Sequence, residues 1–112
     1  ANGGDSPAVA DPMPPPADPA AAPPVVQQQY RALAKHLAGT VPILIGRSSP
    51  SCWVVGVDVD TRSLRLFFTR GKAGRWALRT QVVVDGQDRS DEAQGSLAAA
   101  VAAMAPRTVD GT

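Results

Sequence analysis

The chain is poor in the groups that most often carry chemistry. Among its 112 residues there is one cysteine and one histidine. A single thiol closes no intrachain disulfide and builds no cysteine-based zinc site, so Cys52 is expected to be a small buried apolar residue. His36 falls near the end of an expected helix, where the helix dipole favours a cation; it reads as a surface or capping residue. Nucleophilic catalysis wants a Ser or Cys with a His and an orienting carboxylate. Cys52, His36 and Asp58 or Asp60 supply those types, as the sequences of many non-enzymes do. Paired carboxylates can share a proton or hold a cation, but Asp58 and Asp60 lead into the turn Asp60-Thr-Arg-Ser63, where Asp commonly caps the backbone. Gly71-Lys-Ala-Gly74 is too short for a phosphate cradle and lacks a strand-to-helix setting. The expectation is no enzyme, no metal, no cofactor and no small-molecule substrate. No apolar run approaches the roughly 18 residues of a membrane span.

What the chain has in excess is proline, and it is unevenly placed. Eight of the 11 prolines lie in residues 1–24, spaced by Ala, Asp, Gly and Ser. Such a segment has few large apolar side chains with which to offset an ordering cost of about 1–2 kcal/mol per residue. Residues 1–24 are therefore expected to be a disordered Pro/Ala-rich tail or linker of polyproline II character. Its PxxP spacings, such as Pro12 to Pro15 and Pro16 to Pro19, lack flanking basic residues, which favours a linker over a groove ligand. Residues 25–105 form the expected single domain, and residues 106–112 a flexible tail. A domain of that size buries roughly 60–65% of its unfolded surface, enough for one small core but not for a large enclosed cavity.

Hydrophobic periodicity then assigns the elements. Val26, Tyr30, Leu33 and Leu37 share one face of a helix over 25–39, between Pro24 and Gly39. Residues 41–46 read as a first strand, with Pro42 at its start, and Arg47-Ser-Ser-Pro-Ser51 as a turn. Period-two alternation continues through 52–60, 64–70 and 75–85, separated by a turn at Asp60–Ser63 and a hairpin loop at Gly71–Gly74. Trp53, Val55, Val57, Leu64, Leu66, Phe68, Trp76, Leu78 and Val82 form the expected core set. Asp85-Gly86-Gln-Asp-Arg reads as a loop. Ser90 reads as the N-cap of a last helix running to Ala105, with Leu97, Val101 and Met104 as its core stripe. The fold class is thus α+β: a four-stranded antiparallel sheet with an N-terminal and a C-terminal helix packed on one face, in the order α-β-β-β-β-α.

The net charge of +1 conceals an asymmetry. Between Thr61 and Val84 there are six basic residues and no acid. Arg65, Phe67, Arg79 and Gln81 fall on the alternate, outward-facing set, and Arg70, Lys72 and Arg75 cluster at the hairpin tip. These seven residues are the candidate partner-binding site, since Arg and aromatics are enriched at protein interfaces. The expected function is a tethered, non-enzymatic accessory or interaction domain. It would bind a protein partner, or a second copy of itself, through its sheet face or edge. The alternative is a single-stranded nucleic-acid-binding domain using the same basic-aromatic face, weakened by the near-neutral total charge. An anionic membrane surface is a further candidate. Arg outnumbers Lys nine to two, which with abundant Ala, Val, Gly and Pro suggests a GC-rich, actinobacterial type of genome. A start at Ala1 followed by a Pro/Ala tail resembles the result of signal-peptide removal. Export to the cell envelope is therefore expected, with the cytoplasm as alternative.

Overall fold

Four consecutive hairpin connections dictate the architecture of this protein. The computed structural model describes residues 7–105; the expected tail 106–112 and the first six residues of the expected linker lie outside them. Helix α1 (Pro24–Leu37) comes first. Strands β1 (Leu44–Ser49), β2 (Cys52–Val59), β3 (Arg62–Arg70), β4 (Trp76–Val84) and β5 (Gln87–Asp88) follow. Helix α2 (Leu97–Met104) comes last. The strands form one antiparallel sheet in sequence order, β1-β2-β3-β4-β5, so the domain is α+β with five strands rather than the expected four. The fifth arises at Asp85-Gly86. Both residues have positive φ (53° and 79°), the geometry of a two-residue hairpin turn, so the stretch read as a loop reverses into a short strand.

Cross-strand register fixes two faces. Ile45, Val55, Leu66 and Thr80 lie in one row across the sheet, and Trp53, Phe68 and Leu78 in another. Val57, Leu64 and Val82 make a third. This face packs against Val26 and Leu33 of α1 and Ala100, Ala103 and Met104 of α2. Phe68, Leu64 and Val57 are fully buried there. Each such side chain contributes about 1.5–3 kcal/mol by leaving water. Alanines on α2 let its backbone approach the sheet closely.

Several boundaries differ from expectation, each for a local reason. Strand β1 begins later and runs through Arg47 to Ser49, so only Pro50-Ser51 turns. Its polar end stays in the ladder because its side chains are exposed and only the backbone needs a partner. The last helix is broken. Ser90–Ala93 is a 3-10 turn, Gly95 (φ 102°) takes the chain out of it, and Ser96 restarts it by accepting from the Ala99 amide at 3.1 Å. Ser90 is not a helix cap; its hydroxyl accepts from the Val82 amide at 3.1 Å.

The largest correction concerns the proline-rich segment. Over residues 7–22 it is not a free linker but a strap across the sheet. Pro15 accepts from the Arg47 amide at 3.0 Å and Ala17 donates to the Ile45 carbonyl at 3.1 Å, which closes the outer edge of β1. Pro16 bridges Gly46. The strap then crosses the sheet face opposite the helices, and Ala8 donates to Gly86 at 2.7 Å on the far side. Val54 and Val83 are buried beneath it, so the face expected to be outward is covered. A short 3-10 turn, Pro19–Ala21, leads into α1, where Gln27 donates to the carbonyls of Ala20 and Ala22. Proline explains the docking as well as the absence of periodicity. It loses little conformational entropy on ordering, and it has no N–H to leave unpaired against a sheet face.

Candidate interface at the β3–β4 hairpin

The six basic residues of the central window divide into two groups. Arg65 is on β3, on the face under the strap, and is only 5% exposed. Its Nε donates to the Asp11 carbonyl at 2.8 Å, and Nη1 donates to the Leu64 carbonyl at 3.1 Å. Its Nη1 lies 2.9 Å from Asp58 Oδ1 and its Nη2 3.2 Å from Asp58 Oδ2. A buried guanidinium is tolerated only when paired and hydrogen-bonded, and Arg65 is both. Partial burial pushes the Asp58 carboxyl up, but hydrogen bonds from Arg65 and Ser63 and the Arg65 charge outweigh it. The carboxyl is held below its ordinary value. Arg65 is therefore a structural anchor for the strap, not a surface contact, which corrects its place in the expected site. Gln81 is also engaged, accepting from the Asp11 amide at 2.9 Å. Arg62 reaches the Met104 carbonyl at 3.4 Å, at the end of α2.

The second group stays free of the core. Arg70, Lys72, Arg75 and Arg79 are exposed. Strands β3 and β4 have nine residues each, about 30 Å of extended chain, whereas α1 with 14 residues is about 21 Å long and α2 with eight about 12 Å. Neither helix is as long as the strands of the hairpin. The tip from Thr69 to Leu78 is exposed along most of its length. Leu78, expected in the core, is 48% exposed, and Trp76 is half-buried. Leu78 thus leaves the expected core set, whereas Trp76 still packs against the core as a partly buried side chain.

Two cation–ring contacts order this tip. The Arg79 guanidinium lies 4.1 Å from the centre of the Phe67 ring on the strap side. The Arg70 guanidinium lies 5.9 Å from the Trp76 ring on the helix side. Each contributes about 0.5–1 kcal/mol at such a site and holds the charge in a defined place. The Asp11 carboxylate sits 3.6 Å from Arg79, with both side chains about half exposed. It is the strap's own acid reaching the basic hairpin. On the helix side, an open cleft of about 260 Å³ lies below Leu78, lined also by Leu66, Thr80, Gln29, Gln94 and Leu97.

The outer edge of β4 is unequally covered. Arg70 donates to the Ser51 carbonyl, towards β2. Alternation then turns Thr69 and Phe67 towards β4, and their register partners Ala77 and Arg79 towards β3. Trp76, Leu78, Thr80 and Val82 therefore point their N–H and C=O groups to the outer edge. The lower part of that edge is satisfied. Val82 donates to Ser90 Oγ and accepts from the Arg89 amide, and the Thr80 carbonyl accepts from Gln94 Nε2 at 3.3 Å. Strand β5 pairs only with Val83 and Val84. From Trp76 to Arg79 the outer edge has no strand beside it among the described residues.

The groups weighed for catalysis do not converge. His36 is exposed on α1, in the helical layer. Cys52 is half-buried at the start of β2, in register with Thr69, and Asp58 lies six residues further along the strand, about 20 Å away. Asp58 is committed to Arg65. Asp60 sits in the turn with φ 56°, exposed and 3.8 Å from Arg62. Among the described residues no cluster of His, Cys, Asp and Glu could hold a metal ion, and no helix is long and apolar enough to cross a membrane. Comparison with known protein families, with curated proteins and with solved structures finds no match to this chain.

Proposed function

We propose that this chain is a non-enzymatic accessory or interaction domain, and that the β3–β4 hairpin is the element with which it binds a protein partner. One observation carries the reading. The tip of the hairpin carries four exposed cations, Arg70, Lys72, Arg75 and Arg79, beside the exposed side chain of Leu78 and the half-buried one of Trp76. Arginine and aromatic residues around an apolar centre are the composition of protein-binding hot spots. The rings of Phe67 and Trp76 already carry guanidinium groups, so neither is a bare platform for stacking a base. This favours a protein partner over single-stranded nucleic acid.

The test uses the full chain and a variant with Arg70→Glu, Lys72→Glu and Arg75→Glu as baits, with captured proteins identified and then re-bound as purified partners. Binding of a purified partner should fall at least tenfold in the variant. A labelled single-stranded oligonucleotide and anionic vesicles form parallel arms at about 50 mM salt, where phosphate contacts are strongest. Retention of the oligonucleotide or the vesicles in place of any protein would overturn the proposal.

A further inference from the structure

We infer that the partner is an acidic, extended segment that adds as a strand to the open edge of β4 at Trp76–Arg79. The inference rests on the hairpin being the partner-binding element and specifies how it binds. Three observations carry it. The first is the backbone. Trp76 and Leu78 direct both N–H and C=O outward, and Thr80 its N–H, with no strand beside them among the described residues. An incoming strand satisfies such groups directly, which is how sheet edges take extended peptides. The second is the cleft. A strand added there places alternate side chains on the helix side, beside Leu78 and the open cleft whose wall includes Leu97. The remaining side chains fall on the strap side, beside Ala77 and Arg79. An alternation of apolar and acidic residues matches both sides at once.

The third observation is the charge. Arg75 and Arg79 flank the open edge, and Arg70 and Lys72 stand across the hairpin. Two copies joined edge to edge through β4 would bring these cations together, and like charges opposed across strands are destabilising. The same charges attract an acidic strand. The molecule contains a version of this contact within itself: the strap closes the β1 edge with backbone hydrogen bonds and sets Asp11 against Arg79.

The experiment titrates the full chain with a capped peptide of about eight residues alternating Glu and Val, followed by amide NMR. The expected result is saturable binding, with shifts confined to Trp76–Thr80 and Gln94–Leu97. A Lys–Val peptide should bind at least tenfold more weakly, as should a Glu–Val peptide N-methylated at alternate amides. On the protein side, Leu78→Pro removes one outward donor without touching the β3 ladder, and Leu78→Ala controls for the lost side chain. Leu78→Pro should lose binding that Leu78→Ala largely keeps; the N-methylated peptide asks the same question of the unaltered protein. Absence of binding, equal binding of the N-methylated peptide, or shifts centred elsewhere overturns edge addition. A natural partner lost by the triple charge variant but kept by Leu78→Pro would leave the hairpin reading intact and remove this one. Indifference to both variants would remove the hairpin reading itself.

Discussion

The sheet has two outer edges, and the chain treats them in opposite ways. The β1 edge is closed by the strap: Pro15 and Ala17 take up its backbone groups, and Pro14 and Pro15 lie so close that a Cβ on Gly46 would come 2.6 Å from the Pro14 carbonyl oxygen. The β4 edge is closed only below Thr80, by Ser90, Arg89 and Gln94. Above it stand cations instead of a cover. An exposed edge invites pairing, and proteins blunt it by covering or by charge. Here the first edge is covered at Ile45 and Arg47, whose outward backbone groups are already taken by the strap. The second is charged, which excludes only partners of the same sign.

Breaking the covered edge should have the largest effect. A chain lacking the first 16 residues loses the hydrogen bonds to Arg47, Arg65 and Gly86 and exposes Val54 and Val83. At about 1 kcal/mol per hydrogen bond, plus the newly exposed apolar surface, the loss should be roughly 3–5 kcal/mol by urea unfolding. The truncated chain should also self-associate through β1 in light scattering; an equally stable monomer would show that the strap covers nothing of consequence.

A single atom pair tests the same edge more finely. Gly46→Ala has no room beneath the Pro14 and Pro15 carbonyls, so the strap must shift, at about 1–3 kcal/mol. Hydrogen exchange should quicken at the Arg47 amide while the β2–β3 amides stay protected. Unchanged exchange at Arg47 would mean that the strap tolerates the methyl group in place.

The next test is electrostatic. Asp58 has a depressed carboxyl pKa in the folded state. Its contribution is therefore fully present above the unfolded value of about 3.9 and is lost as pH falls through the lower folded value. Asp58→Asn should cost about 1–2 kcal/mol near neutral pH, a value reduced from that of a fully buried pair because the side chain is 45% exposed. The variant should also show a flatter loss of stability below pH 4. An acid limb identical to that of the parent protein would mean that the Arg65 pair does not link folding to pH.

The open edge should respond least. Replacing Arg70, Lys72 and Arg75 with Glu alters exposed groups and removes the Arg70–Trp76 ring contact, so stability should move by no more than about 1 kcal/mol. Partner binding should change while the fold does not. A large loss of stability would mean that the hairpin charges hold the domain together, and the contrast between the edges would fail.

Much of the sheet was legible from alternation alone. Trp53, Val55, Val57, Leu64, Leu66 and Phe68 fall on the helix-facing side because side chains on a strand change face at every residue. The strap was not legible. A proline-rich segment has no periodicity to betray which surface it lies on, and its contacts join positions far apart in the chain, as from Asp11 to Arg65. For the same reason Arg65 and Arg79, both outward by alternation, could not be told apart. One lies under Asp11 and Met13, while the other stacks on Phe67 in the open.

By itself the sequence determined the local terms: the central strands β2, β3 and β4, the turns between them, which face is apolar, and that positive charge gathers on one hairpin. Those depend on dihedral preference and on the spacing of neighbouring side chains. Only the tertiary structure decided which cations are consumed by the fold, which edge is shut and how much of the hairpin is left exposed. These are matters of contact between distant segments, and no local pattern encodes them.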